Sequence, residues 1–367
     1  MNKDLNLHAD EWVEVRSKEE ILQTLEKKGQ LENLPFMPQM FNYCGKRLRV
    51  YKRAHKTCDT VTLTGGRQMA NAVHLEGIRC DGEAYAGCQA GCLIFWKDAW
   101  LKRVTHNGKS EESSQQESQS GHHRPNATTC TEADVLAGTR AKHEKDSDEP
   151  RHVCQITQLP SATIHLPMSR ISQYLEDYTS GNVTLNRMFR GFVYAGYYRL
   201  SEAGIGLGAF MRWLYDRFQT LWGGVPFPRK RGTIPAGQRT PECTLNLQSG
   251  ELVRVKRYKE ILATLDTANR NRGLLFDAEM VPYCGEVHRV FRCVHKILDE
   301  KTGKLMTFKN PCIVLEGVVC QSRYTDCKYC PLFCPRAIYS YWREIWLERV
   351  NKNNLGVAEA KADEVAC

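Results

Sequence analysis

"EWVEVRSKEEILQTLEKKGQLENLPFMPQMFNYCGKRLRVYKRAHK" runs from Glu11 to Lys56, and "ELVRVKRYKEILATLDTANRNRGLLFDAEMVPYCGEVHRVFRCVHK" runs from Glu251 to Lys296. The two stretches are one sentence written twice. An offset of 240 holds without a gap from Glu11 to Cys80, and 24 of those 70 pairs are identical. After Cys80 and Cys320 the second copy carries six extra residues, and the match resumes at an offset of 246, where "WLKRV" lies on "WLERV". Two copies separated by a long middle describe a duplicated domain rather than a solenoid, which needs several adjoining repeats.

One unit reads as mainly β. "WVEV" and "LVRV" alternate apolar and polar residues, the period of a half-buried strand. "SKEEILQTLEKKG" places Ser17 three residues before Glu20, a capping box, and ends at Gly29. "YCGKRLRVYKRAHK" turns at Gly45 into a second strand, and "NAVHLEGIRC" supplies a third. "CLIFWKDAWLKRV" suits a short helix, with Trp96 and Trp100 four apart, and equally a strand. Short strands around a small core suggest a compact barrel. The expected fold class is therefore α+β: two related small barrels, each with a short helix.

The opening pattern, an acidic residue followed by Trp or Leu, Val, any residue, Val and a basic residue, resembles the first strand of SH3-like barrels of the KOW type. That resemblance implies modules that commonly bind RNA, proteins or ribosomal partners. The two-copy layout also resembles an uncharacterised bacterial two-repeat family carrying "GELVRVKSKEEILATL" and "LEGxxC" phrases, which brings no function to carry over.

These patterns divide the chain into a first repeat domain at 1–104, completed by 151–166, and a low-complexity insert at 105–150 expected to be disordered. A helical segment follows at 167–225, then a basic linker at 226–248, the second repeat domain at 249–352 and a disordered tail at 353–367. The chain has 367 residues, 42% hydrophobic and 25% charged, with a net charge of +9, which points only weakly to an anionic partner. The opening "MNKDLNLHADEWVEV" has no apolar core of a secretory signal, and no window reaches the length of a membrane span. A cytoplasmic protein is the expectation.

Sixteen cysteines in a reducing compartment point to metal or redox chemistry before a disulfide framework. Cys80, Cys88 and Cys92 are spaced C-x7-C-x3-C, and Cys320, Cys327, Cys330 and Cys334 are spaced C-x6-C-x2-C-x3-C. Structural zinc takes four converging ligands, thiolates preferred. The second cluster holds four thiols locally. The first needs a fourth ligand from elsewhere, and His55 and Cys58 in "HKTC" are the nearest. Cys44 with Cys284, His55 with His295, Cys80 with Cys320 and Cys88 with Cys334 recur across the repeat, so one site per copy is also conceivable. Cys44 and Cys284 follow apolar residues and read as core or turn thiols; His55 and His295 read equally as structural histidines. Zinc, one or two ions, is the expected metal ahead of an iron–sulfur cluster, whose C-x2-C-x2-C-x3-C-Pro run is not matched.

Nucleophile-elbow, phosphate-loop, dinucleotide-binding and zincin motifs are absent. The reading is a non-catalytic, zinc-stabilised tandem-barrel binding or accessory module, leaning away from an enzyme. Trp96, Trp100, Trp342 and Trp346 are candidate partner-binding aromatics for a protein or peptide, with core packing as the competing role. Two other readings stand beside it. One is a biosynthetic metalloenzyme with an open Cys/His site; the other is a nucleic-acid binder using Lys46, Arg47, Arg49, Lys52 and Arg53.

Overall fold

The computed structural model describes residues 5–62, 65–104, 130–141, 150–203, 206, 208–222, 225–324 and 330–350. The chain forms two compact units, and their limits do not follow the repeat boundaries. The first comprises residues 1–193, 296–306 and 321–338; the second comprises 194–295, 307–320 and 339–367.

In the first unit, β1 (Trp12–Val15), β2 (Arg47–Arg53), β3 (Lys56–Cys58), β4 (Gly66–Gln68), β5 (Ala72–Arg79), β6 (Leu93–Lys97), β7 (Leu101–Arg103) and β8 (Ile164–Leu166) make two sheets. The larger is antiparallel in the order β6-β5-β2-β1-β7 and curls as a half-barrel; the smaller runs β8-β4-β3. β1 lies between β2 and β7, with Val13 and Val15 fully buried and Glu14 only half-buried on the other face, the alternation read from the sequence. Helix α1 (Lys18–Thr24) follows, and its capping box is formed as expected: Glu20 N–H donates to Ser17 Oγ at 3.3 Å and Ser17 N–H donates to Glu20 Oε2 at 2.9 Å. Pairing of Ile164–Leu166 with Gly66–Gln68 ties the 160s to the first unit.

Most of the insert expected to be disordered lies outside the described residues. Its described part instead contains α2 (Glu132–Ala137), capped by Thr131, whose Oγ1 accepts from Asp134 N–H. The helix buries Val135 against the turn after α1. Gly29 there has φ +71°, and an added Cβ would come within 2.9 Å of the Val135 backbone, so only glycine fits. A single helical turn at Leu159–Ala162 and three longer helices follow: α3 (Ser172–Thr179), α4 (Leu185–Ser201) and α5 (Gly208–Trp222).

In the second unit, β9 (Leu252–Val255), β10 (Val287–Leu298), β11 (Leu305–Leu315) and β12 (Leu347–Arg349) repeat the design, with α6 (Tyr258–Leu262) in the place of α1. The antiparallel order β11-β10-β9-β12 matches β5-β2-β1-β7 strand for strand. β6 has two isolated bridges as its counterpart: Ile313 and Trp342 exchange both backbone hydrogen bonds at 2.8 Å, as Val73 pairs with Trp96 in the first copy, and Val319 bridges Tyr339 as Arg79 pairs with Leu93. The duplicated small β-barrel is thus two curled antiparallel half-barrel sheets with a few helices.

The tryptophans do not make a groove. "CLIFWKDAWLKRV" folds as strand, one 3-10 turn and strand, and Trp96, Trp100, Trp342 and Trp346 are all 0% exposed. Phe36 meets Trp100 edge-on at 5.1 Å, and Phe276 meets Trp346 at 5.2 Å. Each of these indoles donates to a threonine of the neighbouring helical turn, Trp100 to Thr24 at 3.1 Å and Trp346 to Thr264 at 3.0 Å. These aromatics are core, and a partner cannot reach them without opening the barrel.

Exposed apolar surface lies elsewhere. Leu185, Phe189, Phe192, Val193 and Leu200 form a solvent-facing stripe along α4, and Phe210, Trp213, Leu214, Phe218 and Leu221 form one along α5. Ile171, Leu175 and Tyr178 do the same around α3. Among the described residues, no helix is long and apolar enough to cross a membrane.

Candidate metal centre

The fourteen described cysteines are all free thiols. Seven of them, Cys58 included, were expected in metal clusters, and the structure regroups these candidates.

Cys58 ends β3, is buried, and is the hub of the first group. The thiols of Cys330 and Cys334 both hydrogen-bond to it, which holds the Cys58 thiol well below its ordinary range; the Arg336 guanidinium adds to the effect. Arg336 is 1% exposed, and its Nη1 lies 3.7 Å from Cys58 Sγ and 2.8 Å from Thr60 Oγ1. Its Nη2 donates to Glu300 Oε1 at 2.8 Å, and Thr60 Oγ1 donates to the other Glu300 oxygen. The buried guanidinium thereby faces one carboxylate and the polarisable Cys58 sulfur, and an ionic partner is what a buried charge requires.

β3 is fixed at its other end by a second buried pair. Lys56 Nζ lies 2.5 Å from Asp177 Oδ2, with both side chains fully buried. Burial lowers the Lys56 pKa, while Asp177 acts to raise it. His55, a candidate ligand, joins this pair instead: its Nε2 is 3.2 Å from Gln173 O and 3.3 Å from Asp177 Oδ1. His295 lies in the second unit, on a cavity of about 290 Å³ that Cys293, Arg272 and Arg343 also line. Neither histidine stands with the thiols of its expected cluster. Cys44 and Cys284 close the 3-10 turns at equivalent places, as core or turn residues do.

A second group surrounds a cavity of about 40 Å³ in the first unit, lined by Cys80, Cys88, Cys92 and Cys154 among mainly apolar neighbours. Cys154 was not among the sequence candidates. Gln155 positions it by acting as a surrogate strand: its Oε1 accepts from Phe95 N–H and its Nε2 donates to Phe95 O, both at 2.8 Å, and to Pro35 O at 3.1 Å. Gly82 allows the turn that brings Cys88 in, since its φ is +80° and an added Cβ would fall 1.8 Å from Cys88 O. Burial pushes the Cys80 and Cys154 thiols up and the Cys92 thiol to about 12.

The regrouping has one cause. The end of the position-58 strand in each copy meets the cysteine loop of the other copy. Cys58 of the first copy meets Cys334 of the second, and Leu298, the repeat equivalent of Cys58, donates its N–H to Cys88, the equivalent of Cys334, at 3.2 Å. Likewise Lys56 sits over the Phe333 ring at 5.8 Å, while Lys296 N–H donates to Gln89 Oε1 at 3.1 Å.

Cys320 belongs to the second unit and Cys327 lies outside the described residues. Among the described residues, no three His, Cys, Asp or Glu side chains are arranged to hold a metal ion as they stand; Cys58, Cys330 and Cys334 are joined by hydrogen bonds between thiols. The basic strand proposed for nucleic acid is largely neutralised: Arg47 pairs with Glu14 at 3.2 Å, Arg49 with Asp10 at 2.9 Å and Arg53 with Glu176 at 2.8 Å. No family model, no curated protein and no solved structure matches this chain.

Proposed function

We propose that this chain is a non-catalytic binding module built on two SH3-like, KOW-type barrels and stabilised by zinc. The observation that carries it is the convergence of Cys58, Cys330 and Cys334, from positions 272 and more apart in sequence, on one buried point beside Arg336. Thiols are soft donors suited to zinc, and bringing three together without a disulfide is what a structural site requires. Cys327 precedes Cys330 at the C-x2-C spacing common among structural zinc ligands, and makes the fourth donor in this reading. Arg336 offsets the negative charge of the thiolates.

The binding surface in this reading is the set of apolar stripes on α3, α4 and α5, which suit a protein or peptide partner of complementary apolar face. The test is elemental analysis of the full chain purified without chelator. Zinc lost in Cys58→Ser, Cys334→Ser and Cys327→Ser, with the fold retained at low temperature, supports the reading. A wild-type protein without zinc, or one whose zinc survives Cys58→Ser, refutes it.

A further inference from the structure

The cavity of about 290 Å³ in the second unit has a filled counterpart in the first. The frame around it is repeated. Leu245-Asn246-Leu247 repeats Leu5-Asn6-Leu7, with Asn246 and Asn6 both at positive φ. The Leu245 N–H donates to Glu344 at 2.7 Å, as the Leu5 N–H donates to the equivalent Asp98 at 3.1 Å. Cys293 and His295 on the cavity wall are the equivalents of Arg53 and His55. In the first copy this frame is covered by α3 and the turn after it. The Asn182 carboxamide accepts from Arg53 N–H and donates to Arg53 O, both at 2.8 Å. The Ala9 N–H donates to Ser180 O at 2.8 Å, Gln173 O meets the His55 ring, and Glu176 pairs with the Arg53 guanidinium at 2.8 Å. β2 ends at Arg53, where this segment sits, whereas β10 runs on to Leu298 and no described segment fills its cavity. Cysteine in place of arginine also leaves a smaller side chain on the wall.

The open frame keeps unused polar groups. The Thr244 hydroxyl and the Asn246 and Asn310 carboxamides line the cavity without a hydrogen-bond partner among the described residues. The charges are rearranged as well. Lys97 pairs with Glu32 at 2.6 Å; their equivalents are Arg343 and Arg272, so a second guanidinium stands in place of the carboxylate. Arg272 finds Glu242 at 2.8 Å. Arg343 meets only backbone carbonyls, that of Arg272 at 3.0 Å among them, and the Cys312 sulfur. A guanidinium so placed lacks the carboxylate that matches its fork best. The volume lies near the lower end of the roughly 300–1,000 Å³ of ligand pockets, which suits a short segment.

We propose that this cavity is a peptide-binding site whose occupant is a short acidic segment presenting an asparagine or glutamine carboxamide. That is the chemistry α3 and Asn182 supply to the same frame in the first copy. The incoming carboxylate pairs with Arg343, and the carboxamide exchanges hydrogen bonds with Asn246 and Asn310. The site needs no metal and none of the exposed apolar side chains on α3, α4 and α5, so it stands or falls apart from the proposed function.

The test titrates the full chain with a fluorescein-labelled synthetic peptide of residues 170–184, RISQYLEDYTSGNVT, the segment that covers the first copy's frame. Anisotropy gives the affinity, and iodoacetamide labelling read by mass spectrometry gives the place. Bound peptide should slow alkylation of Cys243 and Cys293, which both line the cavity. Cys293→Trp, which fills the cavity, should weaken binding at least about tenfold, and so should the peptide carrying Glu176→Gln and Asp177→Asn. Should Cys293→Trp fail to fold, Asn310→Leu removes a carboxamide from the wall and should weaken binding by about as much. The inference is overturned by a wild-type chain that shows no saturable binding. It is equally overturned by an affinity unchanged in the folded variants or in the amidated peptide, or by binding that leaves Cys243 and Cys293 alkylation at its free rate.

Discussion

His74 offers a test of the core with an internal control. Its ring is fully buried in β5, with Nδ1 2.9 Å from Ile94 O and the ring centroid 4.5 Å from that of Phe95. The second copy places Val314 at the equivalent position, also fully buried. Burial is the main reason the His74 pKa falls from 6.5 to about 4; the charges of Arg336, Arg79 and Lys52 push the same way. The unfolded imidazole takes up a proton near pH 6.5 and the folded one refuses it until about pH 4, so the unfolded state binds more protons across that window. Stability is therefore present above the window and is lost as pH falls through it. The full difference is worth about 3 kcal/mol, of which about 2 kcal/mol is lost between pH 7.5 and pH 5. His74→Val removes this dependence. It also leaves the Ile94 carbonyl without its donor, a pH-independent cost of about 1–3 kcal/mol. Urea unfolding followed by tryptophan fluorescence at several pH values separates the two effects, because Trp96 pairs with Val73 beside His74. The stability difference between wild type and His74→Val should shrink by about 2 kcal/mol on going from pH 7.5 to pH 5. A difference that stays constant over that range refutes a buried neutral His74.

Lys56→Met strands Asp177 without its buried partner and should cost roughly 3–5 kcal/mol in thermal or urea unfolding, whereas the double variant Lys56→Met/Asp177→Leu should recover most of that loss. Thr24→Val and Thr264→Val each remove the acceptor of a buried indole N–H in matching geometry; both should cost about 1–3 kcal/mol, and a large cost in one with none in the other would show that the pair is not equivalent. Phe189→Glu and Phe218→Glu, at side chains 68% and 55% exposed, should leave unfolding within about 0.5 kcal/mol of wild type while abolishing binding to any isolated partner. Residues 1–225 and 226–367 produced together as separate chains should co-purify through the exchanged cysteine loops, as judged by sedimentation; two pieces that do not associate would refute the exchange.

The repeat, its opening strand and its helix cap were legible because each rests on a local sequence pattern: Val13 and Val15 alternate with Glu14, and Ser17 caps with Glu20. The fate of Trp96 and Trp100 was less so. Four-residue spacing suits a helix, but a 3-10 turn between two strands brings the same side chains into one core. α2 was hidden by the polar composition of its surroundings; its signal was local, Thr131 three residues before Asp134 with Val135 to bury. His55 was assigned by its closeness to Cys58 in sequence. It stands three residues from Cys58, however, just before β3, and its ring meets Asp177 beside Lys56 rather than a thiol. Cys154 sat in "HVCQITQLPSATIHLP", a stretch whose strand-like alternation already suggested a return to the first barrel.

The cysteine groups show why spacing alone misassigns ligands in a duplicated chain. Sequence neighbours suggest that each copy completes its own cluster, so Cys58 was matched with Cys80, Cys88 and Cys92. The structure reverses this, since the strand end of each copy meets the loop of the other. At the position-58 site the first copy then carries a cysteine and the second a leucine, so only the loop holding Cys330 and Cys334 receives a third thiol by this route. The loop holding Cys80, Cys88 and Cys92 receives Leu298 instead, which contributes a backbone N–H rather than a ligand. From outside the repeat, Cys154 joins the thiols of that loop in lining one cavity. Divergence at position 58 is therefore one source of the unlike composition of the two groups, beside the copy-specific Cys92 and Cys330.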